Sequence, residues 1–174
     1  RTATSVATVG RSSTGSEIYH GPNAFSEPET TAMRDMLTAL PDLRAHVDTH
    51  SYSQLILWSP GFVGQIVPRQ DELEALGTDL AQTILDTNGV SYTPQRGIDL
   101  YEASGTFADW SGDALGILSY TFELRPDGGA GFGGFSPSPD QILPTAREIN
   151  AAYLHLAEAT ATPLRFVLPD LAAL

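Results

Sequence analysis

Two imidazoles and a carboxylate alternate along the segment His46-Val47-Asp48-Thr49-His50. In a β-strand the side chains of residues 46, 48 and 50 share one face, because successive side chains point to opposite faces. Imidazole and carboxylate groups on one face can hold a zinc ion or orient a general base. The alternative interpretation is an edge or half-buried strand whose polar side chains lie in water.

A second candidate is Glu123, which stands inside the largely apolar run 120–124. Burial of a carboxylate is costly unless the group is paired or takes part in chemistry. A general base that activates a metal-bound water fits such a setting. The alternatives are a salt bridge with Arg125 and a glutamate that faces solvent.

A third candidate is Tyr101, in the stretch 99–110 where glycine and other small residues surround the tyrosine. This composition is typical of a mobile loop that presents a phenol to a ligand, or of a plain surface loop. Other hydrolytic and nucleotide-binding motifs are missing from the sequence. No G-x-S-x-G elbow occurs, and the glycine-rich run 128–134 lacks the lysine of a phosphate-binding loop.

Three helices are predicted to support these candidates. The first begins at Ser26, where Ser26 and Glu29 match a capping box with Pro28 in the first turn, and it ends at Pro41. The other two cover residues 70–88 and 141–158. The apolar residues expected to face the core are Ala32, Met33, Met36, Leu37 and Leu40 in the first helix, Leu73, Leu76, Leu80, Ile84 and Leu85 in the second, and Ile142, Ile149, Tyr153 and Leu156 in the third.

Strands are predicted at residues 45–50, 54–58 and 117–124, with a loop at 127–138. Strands that alternate with helices predict an α/β fold with a mixed, partly parallel sheet flanked by helices. So few elements over this length indicate that the fold is incomplete on its N-terminal side. We expect one domain over residues 1–174, with an irregular segment at 1–15 and an apolar tail at 160–174.

Composition narrows the choice of partners. The net charge is −12, and all nine basic residues are arginines. This charge argues against nucleic acid or an anionic membrane as a partner.

Cysteine is absent, which excludes disulfides and thiol chemistry. No apolar run approaches the ~20 residues of a membrane span, and residues 1–15 do not read as a signal peptide. Extracellular or secreted location is the expectation that the acidic composition favours.

Taken in order, several segments resemble the C-terminal part of the catalytic domain of the zinc carboxypeptidases, the group that contains carboxypeptidases A, B and T. The resemblance covers about residues 12–158. The matching stretches are Tyr19-His20-Gly21, Ala24-Phe25-Ser26-Glu27-Pro28-Glu29-Thr30, His50-Ser51-Tyr52-Ser53-Gln54-Leu55-Ile56-Leu57, Tyr101-Glu102-Ala103-Ser104-Gly105 with Asp109-Trp110, Thr121-Phe122-Glu123-Leu124-Arg125, Gly131-Phe132 and Ile142-Leu143-Pro144-Thr145-Ala146-Arg147-Glu148.

The resemblance implies a role for four residues. His50 is similar to the family's third zinc ligand, and Glu123 to the general base that deprotonates the zinc-bound water. Tyr101 resembles the flap tyrosine that closes over the substrate near its terminal carboxylate. Tyr52 resembles a residue that contacts the penultimate substrate side chain.

The resemblance also implies a specificity pocket with Ala108 at its bottom. Alanine offers no charge to pair with lysine or arginine, so an apolar C-terminal residue is the expected preference. The residues expected near Ala108 are Leu57, Gly61, Leu100, Ala103 and Thr121.

The sequence departs from the family in one respect. Upstream of His50, where the family has the H-x-x-E motif that supplies the other two zinc ligands, the sequence has no such motif, and it has no Asn-Arg pair to bind the substrate carboxylate. Arg1 lies near the expected position of that last arginine, without the preceding asparagine. Catalytic zinc normally has three protein ligands, so we expect this chain alone to be inactive.

Two hypotheses follow. The chain is either part of an active enzyme that cleaves the C-termini of peptides or proteins, or a naturally shortened, non-catalytic binding or structural module. The partner that completes it would be an N-terminal half-domain or a second copy of the chain. A third interpretation places a new metal site of His46, Asp48 and His50 at a dimer interface.

Overall fold

The computed structural model describes residues 13–16, 19–62, 69–103 and 105–161, and these contain five α-helices and four β-strands. Their order in the chain is α1 (Pro28–Thr38), β1 (Ala45–Ser51), β2 (Leu55–Trp58), α2 (Gln70–Asn88), β3 (Thr93–Arg96), α3 (Gly97–Leu100), α4 (Phe107–Leu115), β4 (Leu118–Leu124) and α5 (Ile142–Thr160). Two 3₁₀ helices, Gly128–Phe135 and Pro139–Gln141, lie between β4 and α5. No helix within these residues is long and apolar enough to cross a membrane. Arg1, most of the N-terminal segment and nearly all of the predicted C-terminal tail lie outside the described residues.

The sheet is mixed, as predicted, with the strand order β1-β4-β2-β3. β1 is parallel to β4, β4 is antiparallel to β2, and β2 is parallel to β3. Because β1 and β4 run in the same direction, their carboxyl ends lie at one edge of the sheet. Among the described residues β1 pairs with one strand only, so its other side is free.

Alternation along the strands divides the sheet into two faces. One face packs against α2 and α5 and carries the core. The buried apolar residues of this core are Ile56, Trp58, Leu73, Leu80, Ala81, Ile84, Tyr92, Leu118, Tyr120, Phe122, Ile149, Ala152 and Leu156. The intervening positions of β4, Ser119, Thr121 and Glu123, therefore point to the opposite face, on which α4 packs against β1 and β4.

The prediction for α2 is confirmed in its boundaries and in most of its buried face. The helix spans Gln70–Asn88, and Leu73, Leu80 and Ile84 are buried. Gly89 follows with φ of 68°, a left-handed conformation that glycine adopts without the penalty a Cβ imposes. Leu85 is the exception, because it lies at the edge of the apolar stripe and remains exposed.

The predicted capping box of α1 is wrong. Glu27, in an extended conformation, is the residue before the helix, and its side chain makes no capping hydrogen bond. The Ser26 hydroxyl instead donates to the Glu27 carboxylate. Pro28 is favoured at the first helical position, so the helix begins one residue later than a Ser26 cap requires.

The apolar face predicted for α1 is largely exposed, whereas the face predicted for α5 is buried at Ile149 and Leu156 and exposed at Ile142 and Tyr153. In α1 only Leu37 is buried, while Met36 is 51% exposed and Ala32, Met33 and Leu40 also face solvent. Ile142, the first residue of α5, is 64% exposed. The helical periodicity was identified correctly, but no described element covers these side chains.

The stretch 99–110 is not one loop. α3 ends at Leu100, and α4 begins at Phe107, so the connecting segment is short. The hydroxyl oxygen of Thr106 accepts a hydrogen bond from the backbone N–H of Asp109 at 3.1 Å, and this caps α4. Gly116, with φ of 66°, ends the helix.

Candidate active site

A cleft of about 270 Å³ lies between the sheet and the segment that joins α3 to α4. The sheet contributes Asp48 and His50 from β1, Leu57 from β2, and Thr121 and Glu123 from β4. The rest of the wall comes from residues after β2, β3 and α3 and from the start of α4, which are Ser59, Gly61, Gly97, Leu100, Tyr101, Ala103, Thr106, Phe107, Ala108 and Asp109. Nine residues to which the resemblance gives a place thus line one cavity: His50, Leu57, Gly61, Leu100, Tyr101, Ala103, Ala108, Thr121 and Glu123.

The register of the sheet places the two chemical groups side by side. His50 and Glu123 are Cα partners in the parallel pairing of β1 with β4. Both lie near the carboxyl ends of their strands and on the face opposite the core. The two residues are 73 positions apart in the sequence, and the pairing of β1 with β4 brings them together.

The Glu123 carboxylate is half-buried and is not engaged by a neighbouring cation. Burial raises the pKa of Glu123, the imidazole of His50 lowers it, and the carboxylate of Asp48 raises it. None of the hydrogen bonds or ion pairs formed among the described residues uses this carboxylate. Within the part of the chain that the structure describes, this cleft-lining carboxylate therefore has no hydrogen-bond or ion-pair partner, a state compatible with proton abstraction.

The alternative salt bridge between Glu123 and Arg125 is wrong. The Arg125 guanidinium binds Glu148 through Nη2–Oε2 at 2.5 Å and Nε–Oε1 at 2.9 Å. Glu148 is fully buried, and its Oε1 also accepts the hydroxyl of Tyr92 at 3.0 Å. Arg125 follows the last residue of β4, and its guanidinium turns to Glu148 of α5 and to the side-chain oxygen of Gln141, which accepts from Nη1 at 2.7 Å.

Asp48 pairs with His50, not with His46. His50 Nε2 lies 3.1 Å from Asp48 Oδ2. The imidazole of His46 lies beneath α4, with Nδ1 3.2 Å from the Ser111 hydroxyl and 3.4 Å from that of Ser119. Burial lowers the pKa of His46, the mark of an imidazole kept neutral in the protein interior.

Sequence reasoning missed Asp109, which lies beside Ala108 at the bottom of the cleft. Its Oδ1 accepts the backbone N–H of Gly61 at 2.8 Å, and its Oδ2 is buried without a hydrogen-bond partner. Burial raises the pKa of Asp109. A Thr-x-x-Asp capping pattern at Thr106 and Asp109 was available in the sequence and indicates that a helix, not a loop, begins here.

Of the two tyrosines to which the resemblance gives a role, Tyr101 lines the cleft and Tyr52 does not. Tyr101 is 60% exposed. Tyr52 is not among the described residues that line the cleft. Its ring packs edge-on against Phe135 with 4.9 Å between ring centroids, and it lies against Gly134.

The described side chains of the cleft match only part of the zinc site that the resemblance implies. His50 fits one coordination position, because it is an imidazole in the cleft with a carboxylate behind it. Across residues 13–16, 19–62, 69–103 and 105–161, no three histidine, aspartate or glutamate side chains converge to hold a metal ion. The described residues therefore fit one ligand of such a site and do not fit a complete one. His46, held under α4, is not available for the predicted site with Asp48 and His50.

Comparison with protein families matches residues 4–152 to the family described as zinc carboxypeptidase. The zinc carboxypeptidase of Simulium vittatum is 39% identical over 135 residues, which are 76% of this chain and 44% of that protein. Human carboxypeptidase A5 is 36% identical over 146 residues, 83% of this chain and 33% of that protein. The chain thus spans less than half the length of these curated relatives.

Solved structures of the same group are similar in fold. Bovine thrombin-activatable fibrinolysis inhibitor in complex with tick carboxypeptidase inhibitor has a TM-score of 0.80 at 33% identity, over 87% of this chain and 51% of that chain. The carboxypeptidase A from Helicoverpa armigera has a TM-score of 0.71 at 29% identity, over 87% and 39% respectively.

Proposed function

Because this chain belongs to the zinc carboxypeptidase family, we propose that it forms the C-terminal part of the catalytic domain of a metallocarboxypeptidase. The complete enzyme would hydrolyse the last peptide bond of peptides or proteins and release one C-terminal residue. One observation carries this proposal: His50 and Glu123, each with a role implied by the family motifs, are strand partners that line one cleft.

In this proposal Glu123 accepts a proton from the attacking water and returns it to the leaving amine. Its unpaired carboxylate and its raised pKa suit such a role, since a base with a pKa closer to neutrality is also a competent acid. Zinc, when bound in enzymes of this kind, supplies Lewis acidity toward a carbonyl oxygen and water. His50 would hold the metal at the cleft as one of its ligands.

The residues at the floor of the cleft support a preference for substrates whose C-terminal residue is apolar. Leu57, Ala108 and the methyl group of Thr121 offer no charge to a substrate side chain. The acidic group beside Ala108, Asp109, accepts from the Gly61 N–H with one oxygen and has its other oxygen buried, so it presents no accessible charge to lysine or arginine. Tyr101, exposed in the cleft wall, would close over the bound terminus.

The free edge of the sheet supports a partner for this chain. β1 carries His50 and lacks a second neighbouring strand among the described residues. An unpaired strand edge is a template for further strand pairing. Since the missing metal ligands are needed beside the same strand, we propose that an N-terminal half-domain covers this edge, with a second copy of the chain as the competing occupant.

A non-catalytic binding or structural module is the second candidate function. The observation in its favour is that the described residues supply one imidazole ligand and no group of three. In that case the cleft would bind a peptide terminus without cleaving it. Extracellular location is part of either proposal and is supported by the acidic composition.

The test compares the chain alone with the chain joined to a family segment that contains the H-x-x-E motif. We expect the chain alone to bind less than one zinc per molecule and to release no residue from a peptide ending in Phe. The joined protein should bind one zinc and release Phe faster than Lys from matched peptides. A folded, zinc-loaded joined protein that releases nothing would favour the binding module, whereas rapid hydrolysis with stoichiometric zinc by the chain alone would disprove the expectation that it is inactive.

A further inference from the structure

Asp109, the third residue of α4, is an acidic residue of the cleft to which the resemblance gives no role. It is only 7% exposed. Burial of a carboxylate costs free energy unless the group is hydrogen-bonded or takes part in function. Because Oδ2 is buried without a partner among the described residues, that cost is only partly compensated. The role of the residue therefore lies with Oδ1, which does have a partner.

Oδ1 of Asp109 holds the segment 59–61 that follows β2. It accepts the backbone N–H of Gly61, a buried residue that lines the cleft, at 2.8 Å. The same two parts of the chain meet a second time, since the Ser59 hydroxyl donates to the carbonyl oxygen of Ala108 at 3.1 Å. The first turn of α4 thus fixes the segment 59–61 at two points.

Gly61 passes this constraint on to the residues before α4. Its carbonyl oxygen accepts the backbone N–H of Ala103 at 2.7 Å, and Ala103 lies two residues after Tyr101 in the cleft wall. The packing is close, because a Cβ at residue 61 would lie 3.0 Å from the carbonyl oxygen of Ala103 and 3.4 Å from Oδ2 of Asp109. Gly61 is therefore held at its N–H and at its carbonyl, with little room to shift toward either neighbour.

The cleft depends on these hydrogen bonds for its shape. Gly61, Ala103 and Ala108 all line it. A pocket distinguishes side chains that differ in size or polarity only while its walls keep their positions. Without the acceptor of Asp109, the Gly61 N–H would be left unpaired in the interior, and the segment 59–61 would move to reach water.

We propose that Asp109 is a positioning residue, which through Gly61 holds the cleft wall and the segment that carries Tyr101 in place and so maintains the selectivity of the cleft for an apolar side chain. This inference rests on the proposed function in one respect, that the cleft receives the C-terminal side chain of a substrate. It involves no metal ion. The property that matters is the acceptor oxygen, so asparagine should substitute for Asp109 and alanine should not.

The first experiment follows backbone amides of the chain by NMR, without metal and without substrate. The wild type should show scalar coupling across the hydrogen bond between the Gly61 nitrogen and the Asp109 carboxyl carbon. Asp109→Ala should speed hydrogen exchange of the Gly61 and Ala103 amides by about tenfold relative to the amides of α2, whereas Asp109→Asn should keep both slow. Asp113→Ala, at an exposed aspartate one turn further along α4, is the control and should leave both unchanged.

The second experiment measures the selectivity of the cleft in the same proteins. Nα-acetyl-phenylalanine and Nα-acetyl-glutamine, two probes of equal net charge, are titrated while the methyl signals of Ala108 and Thr121 are followed. The wild type should bind the phenylalanine probe more tightly. Asp109→Ala should reduce the ratio of the two affinities by about 3–10-fold, and Asp109→Asn and Asp113→Ala should preserve it.

Four results would each overturn the inference. These are unchanged exchange of the Gly61 amide in Asp109→Ala, an unchanged ratio of affinities in that variant, loss of slow exchange in Asp109→Asn, and no preference for the phenylalanine probe in the wild type. If Asp109→Ala does not fold, the coupling in the wild type and the behaviour of Asp109→Asn decide. Lack of peptidase activity in the joined protein would refute the proposed function and leave these signals unaffected, so the two failures are distinguishable.

Discussion

His50 on β1 and Glu123 on β4 are direct partners in the parallel register of the sheet. A shift of this register by one residue would turn one of the two side chains to the opposite face. The cleft therefore depends on the same strand pairing that builds the core, where Phe122 and Tyr120 are completely buried on the other face of β4. The stability of β4 and the geometry of the site consequently depend on the same strand pairing. Mutations on one face of β4 or the other can show which of the two a given side chain supports.

Glu123→Gln is predicted to stabilise the chain at neutral pH. Burial raises the pKa of Glu123 in the folded state. A group with a raised folded pKa binds its proton more readily when folded, so its favourable contribution is complete below the unfolded pKa of about 4.3 and is lost as the pH rises through the folded value. Above that window the ionised carboxylate carries a cost that glutamine does not.

Thermal unfolding from pH 4 to pH 8 tests this point. We expect a gain in Tm of about 1–3 °C for Glu123→Gln at pH 7, on the order of 1 kcal/mol or less, which vanishes toward pH 4. Glu102→Gln, an exposed glutamate in the loop after Tyr101, should show no such difference. A Glu123→Gln protein less stable than the wild type at pH 7 would mean that the carboxylate supports the fold.

The buried pair of Arg125 and Glu148 is predicted to be essential for stability. Glu148 has no exposed surface, and the Arg125 side chain is only 14% exposed. Removal of one partner leaves the other as an uncompensated charge, which costs about 3–5 kcal/mol. Glu148→Ala should therefore lower the free energy of unfolding by about this amount, measured by urea denaturation.

Two variants calibrate that measurement. Tyr92→Phe removes one hydroxyl donor to Glu148 and should cost about 1 kcal/mol. Asp35→Asn breaks the exposed pair of Arg34 and Asp35 and should change stability by less than about 1 kcal/mol. Equal effects of Glu148→Ala and Asp35→Asn would show that the buried network contributes little.

Gly134 is predicted to be required because the Tyr52 ring lies directly against it. A Cβ at residue 134 would overlap three carbons of that ring, whereas a Cβ at Gly133 would meet nothing within 4 Å. Gly134→Ala should destabilise the chain by about 1–3 kcal/mol through this overpacking, and Gly133→Ala should be close to neutral. The comparison of the two in one denaturation series checks the placement of Tyr52, and similar values for both would contradict it.

Sequence patterns predicted the elements whose local signals and burial agree. α2 was predicted with its exact boundaries because the leucine periodicity, the final Asn88-Gly89 stop and the core contacts all indicate the same helix. α4 was missed because glycine and small residues before it were interpreted as a loop, although Thr106 and Asp109 form a capping pattern. The exposed methionines of α1 show what periodicity cannot predict. It identifies the apolar face of a helix, but it does not identify which element, if any, covers that face.

The site could be predicted in part. Glu123 stood out as a carboxylate within an apolar strand, and the alternation of residues 46, 48 and 50 placed them on one face. No local pattern distinguishes His46 from His50, because the difference lies in their partners: Ser111 and Ser119 are 65 and more residues away from His46 in the chain. The unpaired oxygen of Asp109 likewise follows from tertiary packing around the cleft.

The most direct test of the central claim is the rate at which the zinc-loaded joined protein releases a C-terminal Phe, compared between wild type and Glu123→Gln at equal zinc content. With Glu123 as the general base, the substitution should lower the rate by about 10²–10⁴-fold while the protein stays folded. Equal rates for the two proteins would contradict the assignment of Glu123 and, with it, the proposed use of the cleft.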